Sequence, residues 1–218
     1  MHRRLQQSRF LFMATRQARL TPTADRAPAV VSIARELSGP QWCARFPGSR
    51  QIDDLHQPFK SNMSSFKTAL DAAGATVIIS ATFRPPERAY LMHWSWRIAN
   101  GAKPESAASM NGVNIEWVHP TDAASRKAAE EMVTAFQMNG LQVAPALQSR
   151  HTEGAAIDMN ISWSDGLEIR SSDGSAQTIE STPRTGMNAE LHKVGATYGV
   201  LKFSGGAADR PHWSDNGH

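Results

Sequence analysis

The run "AIDMNISW", residues 156–163, alternates strictly: Ile157, Met159, Ile161 and Trp163 fall on one face, and Ala156, Asp158, Asn160 and Ser162 on the other. A period of two with one apolar side is the pattern of a strand that covers a core with one face and leaves the other open. The fold therefore needs a sheet, and Asp158 points away from that sheet's apolar face. Just upstream, Gly154 lets the backbone turn sharply after His151, and Ala156 leaves room beside Asp158.

The elements that cover such a strand are read from helical spacing elsewhere. In "SNMSSFKTALDAAG", Met63, Phe66, Leu70 and Ala73 recur at three- and four-residue steps, with Ser61 or Asn62 as cap and Gly74 as stop; this predicts a helix packed on a sheet. "ATVIISATF" is rich in β-branched residues and predicts a buried strand ending near Thr82. "RPPERAYLMHWSWRIANG" opens with prolines that a first helical turn tolerates and ends at Asn100-Gly101. Tyr90, Trp94 and Ile98 line one face of that helix while Met92 and Trp96 lie elsewhere, so cover on both sides is expected.

Residues 102–120 read as an irregular connection with one short strand in "VNIEWVHP". "TDAASRKAAEEMVTAFQMNG" follows as a helix capped by Thr121, with Ala128, Met132 and Phe136 repeating every four residues and Asn139-Gly140 as stop. Past Ser164, Asp-Gly turns between short alternating runs predict a hairpin projecting from the domain. A helix in "MNAELHKVGATYG" and a strand in "VLKFS" come next, and upstream "APAVVSIARELS" is helix-compatible from Ala27 to Ser38. Helices and strands mix without regular βαβ alternation, so the fold class is α+β.

With 218 residues, 40% hydrophobic and 20% charged, the chain has the balance of one globular domain, or one domain with an appended arm. No apolar run is long enough for stable membrane insertion. The net charge of +3 suits an acidic partner without selecting one, and no basic run is interleaved with aromatics, so nucleic acid is not expected. The single cysteine, Cys43, excludes an internal disulfide framework and a multi-cysteine zinc knuckle; it is expected to be a buried structural thiol. In "MHRRLQQSRFLFMATRQARL" the apolar patch from Phe10 to Ala14 is shorter than a secretory core and arginine soon follows, which predicts a basic arm rather than a signal peptide.

His151 and Asp158 flank the turn and strand, yet such a pair alone is cheap: about 0.4 are expected by chance. Either it is part of a metal site, or it is a loop histidine and the solvent-side aspartate of an edge strand. Catalytic zinc commonly takes three protein ligands, with histidine nitrogen and carboxylate oxygen both suitable. The tail "ADRPHWSD" supplies His212, preceded three residues earlier by Asp209, so that one could ligate while the other acts as a base. Among other histidines, His93 and His192 lie in predicted helices where packing is expected, His119 could touch substrate, and His218 at the end is expected to be mobile. Glu153 is expected to face solvent.

On these residues the chain resembles the zinc D-alanyl-D-alanine carboxypeptidases with their related dipeptidases and phage endolysin peptidases, a group that also holds lysostaphin-type enzymes and the hedgehog signalling domain. The family pattern S-x-H-x-x-G-x-A-x-D is met by Ser149, His151, Gly154, Ala156 and Asp158. Composition alone would give all five less than about once in a thousand such chains. A second pattern, an acid, two residues, then histidine and an aromatic, is met by Asp209, His212 and Trp213. A third, an arginine shortly after the strand that precedes the first helix over the site, is met by Arg84.

The resemblance spans roughly Asp54 to the C-terminus, leaving residues 1–50 as an N-terminal arm and helical extension, and 51–218 as the zinc peptidase domain with an insertion at about 101–148. It implies a small, mainly antiparallel sheet with helices on one face and one zinc ion on the other, held by His151, Asp158 and His212. Asp209 would be the catalytic base and acid, where many relatives carry glutamate and some endolysins aspartate. Arg84 would be the cation facing substrate or developing oxyanion. Ser149 would bind substrate or shape the turn, and Trp213 would pack beside the ligand.

The implied activity is peptidoglycan peptidase, cutting the stem peptide as a D,D-carboxypeptidase or endopeptidase, in a monomer. Such a substrate lies outside the cytoplasm. Without a standard signal peptide, a phage lysin released by lysis or an antibacterial effector with a secretion-system partner would reach it. The alternative is a non-catalytic zinc module of the same fold that binds a peptide or partner.

Overall fold

The alternating run forms an inner strand of a four-stranded sheet. The computed structural model describes residues 34–218, which make one compact unit. In chain order the elements are β1 (Glu36–Leu37), α1 (Phe59–Ala72), β2 (Thr76–Ala81), α2 (Pro86–Ala99), β3 (Ile115–Glu116), α3 (Asp122–Ala135), β4 (Ala156–Ser162), β5 (Leu167–Arg170), β6 (Ala176–Ile179), α4 (Ala189–Thr197), β7 (Leu201–Lys202) and β8 (His212–Ser214). The main sheet runs β2-β4-β8-β7 with every neighbour antiparallel. β1 pairs with β3 in parallel, and β5 with β6 as an antiparallel hairpin. Among the described residues this is an α+β architecture with four α-helices and a mainly antiparallel set of strands.

Ile157, Met159 and Ile161 of β4 are buried with Met63, Phe66 and Leu70 of α1, and Leu191 and Val194 of α4 close the same core. Trp213 of β8, fully buried, packs its ring 5.8 Å from Phe66. Each large apolar side chain removed from water contributes about 1.5–3 kcal/mol, so this face fixes the strand's register: a slip of one residue would bury Asp158 and Asn160 instead. A second core joins Tyr90, Trp94 and Ile98 of α2 to Met132 and Val133 of α3. Trp42, on the arm side of the boundary expected at residue 50, is buried in it.

Several expectations are corrected. α1 starts at Phe59 behind Pro58, ahead of the expected caps Ser61 and Asn62, which lie inside the helix. β2 is an edge strand rather than a buried one, with Ile78 62% exposed, because β-branched composition does not distinguish edge from centre. α3 ends before Asn139-Gly140: Gln137 takes φ 59°, and Met138 N–H donates to Val133 O, closing the helix by the left-handed route usually given to glycine. The β5–β6 hairpin does not merely project, since Leu167, Ile169 and Ile179 enter the first core. Glu36–Leu37 is strand, not helix; the remainder of the helix expected from Ala27, and the basic arm before it, lie mostly outside the described residues. Cys43 is half-buried rather than buried. Among the described residues no helix is long and apolar enough to cross a membrane.

Candidate metal centre

The turn that carries His151 is built by short polar contacts. Ser149 O accepts from Thr152 N and Glu153 N at 2.9 and 3.2 Å, and Gly154 closes the turn at φ 65°. His56 lies directly over Gly154: its N–H donates to Gly154 O at 2.9 Å, and a Cβ on Gly154 would stand 2.6 Å from the His56 ring. Arg150 ties the turn to the sheet, donating from Nε to Asp215 Oδ1 at 2.8 Å and pairing with Glu153. The glycine in the sequence pattern is thus explained twice over, by backbone conformation and by close approach.

β4 then presents Asp158 opposite His212 of β8 in register, both on the face away from the core. His151 Nε2, His212 Nδ1 and Asp158 Oδ1 form a triangle with all three sides 3.2 Å. His151 and His212 are buried, Asp158 half-buried. Four ligands set tetrahedrally about 2.0 Å from a zinc ion stand about 3.3 Å from one another, so the triangle matches one face of that tetrahedron.

The hydrogen positions follow from the outer contacts. His151 Nδ1 lies 2.6 Å from Thr82 O and His212 Nε2 lies 3.1 Å from His218 O. A carbonyl only accepts, so those nitrogens carry the hydrogens and the other two direct lone pairs at Asp158. Three converging lone-pair atoms require a cation between them, a proton or a metal ion. The titration behaviour expresses the same demand. Burial opposes the charge on Asp158, yet hydrogen bonds and charge from His151 and His212 prevail and hold it below the usual carboxylate range. Burial likewise opposes charging of His212, but Asp158 pushes it up. Among the described residues, these three form a cluster able to hold a metal ion.

Asp209 Oδ2 stands 3.9 Å from His212 Nδ1, and about half of its side-chain surface remains open. Burial, then the charge of Asp158, raises its pKa from the ordinary aspartate value. Arg84 follows β2, its N–H donating to His151 O at 3.1 Å. Arg84 is half-buried; its guanidinium feels the charges of Asp158 and Asp209 and makes no hydrogen bond or ion pair among the described residues. It borders a cavity of about 220 Å³ with Arg50, Thr82, Phe83 and Met92. Ser149 Oγ is buried beside the turn without a hydrogen-bond partner. A cavity of about 680 Å³ lies apart, between α1 and the β5–β6 hairpin, and among the described residues its lining holds no cluster of metal-ligating side chains.

The remaining candidates fall elsewhere. His93 Nδ1 is 2.8 Å from Pro145 O, and His192 Nε2 is 2.9 Å from Gly186 O. His119 Nε2 lies 2.9 Å from Ser38 Oγ. His218 is not loose: its N–H donates to Ser214 Oγ at 3.0 Å while its carbonyl orients His212. Trp213 packs, as expected.

Lys202 went unrecognised in the sequence. Its ammonium donates to three carbonyls, Asp209 O at 3.3 Å, Arg210 O at 2.7 Å and His212 O at 2.8 Å, pinning the segment that carries Asp209 and His212. A lysine in a short strand reads as a solvent-facing residue, and no local pattern signals otherwise.

A scan of protein-family models gave no match, and a search of curated proteins gave none. Among solved structures, the chain is similar to a mutant vancomycin resistance D,D-pentapeptidase VanY from a VanB-type resistance cassette, in complex with Zn(II). The likeness covers 73% of this chain and 71% of that one, at 15% identity and a TM-score of 0.31.

Proposed function

We propose that this chain is a zinc-dependent peptidase acting on peptidoglycan stem peptides, as a D,D-carboxypeptidase or endopeptidase in the manner of a cell-wall lytic enzyme. The observation that carries the reading is the 3.2 Å triangle of His151, Asp158 and His212, with each imidazole oriented by a carbonyl and with Asp209 and Arg84 beside it. The sequence patterns formed by those five residues with Ser149 supply the substrate class.

His151, Asp158 and His212 would hold the ion. When bound, zinc supplies a Lewis acid that makes a water nucleophilic near neutral pH. Asp209, displaced from the triangle and partly open to solvent, takes the proton from the attacking water and returns it to the leaving amine. Arg84, a half-buried cation without a partner among the described residues, offers its guanidinium to substrate oxygen as negative charge develops there. Ser149 either donates to substrate from its unpartnered hydroxyl or serves the turn alone.

The test is to incubate purified peptidoglycan fragments with the zinc-loaded protein, with the protein plus chelator, and with Asp209→Ala, and to identify products by mass. Release of D-alanine or of a cut cross-link by the wild type alone supports the reading. A zinc-loaded wild type that releases nothing is a binding module instead. Product masses also separate carboxypeptidase from endopeptidase action.

A further inference from the structure

We propose that the open sheet face beside the triangle seats a carboxylate-bearing residue of the substrate peptide, recognised by Arg210, about two residues from the bond that is cut. This rests on the peptidase reading and adds a specificity for acidic peptides.

The argument begins with strand register. Asp158 sits in a row across the sheet with Ala81 on β2 and His212 on β8. Two residues along β4, and so on the same face, Asn160 pairs with Ile78; two further, Ser162 pairs with Thr76 and bridges to Thr185. A strand advances about 3.4 Å per residue, which places the Asn160 row about 7 Å from Asp158 and the Ser162 row about 14 Å away. The face that carries Asp158 therefore continues as a groove. Its cavity of about 290 Å³ is lined by Ile78, Asn160, Ser162, Thr185, Met187 and Arg210.

The chemistry of that lining is one-sided. Among the described residues Arg210 is its only charged group, and no carboxylate lines it. The Arg210 carbonyl is fixed by Lys202 Nζ at 2.7 Å, while its side chain is exposed and makes no hydrogen bond or ion pair among the described residues. The backbone is held and the guanidinium is free to engage a ligand. Arginine's planar fork matches a carboxylate, with two parallel N–H···O bonds. Asn160, Ser162 and Thr185 offer an amide and two hydroxyls to a peptide backbone, and Ile78, 62% exposed in mid-strand, offers an apolar wall to an aliphatic stem. An extended peptide advances about 3.3–3.6 Å per residue, so a side chain two residues from a bond held at Asp158 falls at the Asn160 row.

The experiment uses two synthetic stem peptides that differ only at that residue, one with a free carboxylate and one with the same carboxylate amidated. Each is given to zinc-loaded wild type, Arg210→Gln and Arg210→Lys. We expect wild type to prefer the free acid about tenfold in kcat/KM, mainly through KM, the size expected of one charge-assisted contact. That preference should fall below about twofold in Arg210→Gln and be partly kept in Arg210→Lys. Equal use of both peptides by wild type, or a preference that survives in Arg210→Gln, overturns the proposal. If neither peptide is cut, the peptidase reading has failed, and calorimetric binding of the same two peptides to wild type and Arg210→Gln decides the groove: a carboxylate preference lost with Arg210 sustains it, and equal binding ends it.

Discussion

The Thr82 carbonyl lies 2.6 Å from His151 Nδ1, and this main-chain contact decides which nitrogen of the ring faces Asp158. With His212 oriented likewise by His218 O, both imidazoles turn a lone pair toward Asp158, and these atoms repel unless a cation joins them. Zinc should therefore stabilise the fold. Binding at a hundred times Kd contributes about 2.7 kcal/mol. At roughly 2–4 °C per kcal/mol for a domain of this size, chelation should lower Tm by about 5–10 °C. Metal analysis should find one zinc per chain in wild type and close to none in Asp158→Asn, whose Tm should ignore the chelator. A wild-type Tm that is equally indifferent sinks the metal reading.

Gly154 makes a second, independent prediction. Its φ of 65° costs a residue with a Cβ about 1–2 kcal/mol, and that Cβ would meet the His56 ring at 2.6 Å. Gly154→Ala should thus destabilise by about 2–3 kcal/mol in denaturant melts and weaken zinc binding, because the turn aims His151. Adding His56→Ala should recover only the part due to the clash. Full recovery would mean that backbone conformation contributes nothing there.

Lys202 tests how far the segment carrying Asp209 and His212 depends on being pinned. Lys202→Met keeps the length of the side chain and its cover over Trp213, but leaves three carbonyls without their shared donor. Loss of about 2 kcal/mol of stability is expected from the charged hydrogen bonds, with zinc affinity about tenfold weaker through the outer contacts of His212. Competition with a fluorescent chelator measures the second effect. Unchanged affinity alongside reduced stability would confine Lys202 to folding.

The residues brought together at the site were legible in sequence because few side-chain types can ligate a metal ion or move a proton, and His151, Asp158, His212 and Asp209 are of those types. α1, α2 and α3 were legible for a related reason, since Met63, Phe66, Leu70 and their counterparts repeat within a turn of one another. What escaped depended on partners distant in sequence. Thr82 and His218 act through main-chain oxygens, so no side-chain type marks them. Among the described residues β2 has a strand neighbour on one side alone, which Val77, Ile78 and Ile79 do not encode. Gln137 takes a conformation usually left to glycine because Met138 is buried behind it, and the expected stop at Asn139-Gly140 was displaced by that packing.

Cys43 gives a prediction free of the metal. Burial pushes its thiol up to about 11 from an ordinary 9.0, against the nearby Arg88 charge. Alkylation follows the thiolate fraction, so at pH 8 iodoacetamide should label the folded chain about a hundredfold more slowly than the denatured chain. The sign for stability follows from the same shift. Below pH 9 both states keep the proton and Cys43 adds no pH dependence; between 9 and 11 the unfolded thiol ionises while the folded one does not, so stability falls as pH rises. Denaturant melts of wild type and Cys43→Ala across that window should diverge, with wild type losing more. Parallel curves, or rapid labelling of the native protein, would show that the thiol is open to solvent and unshifted.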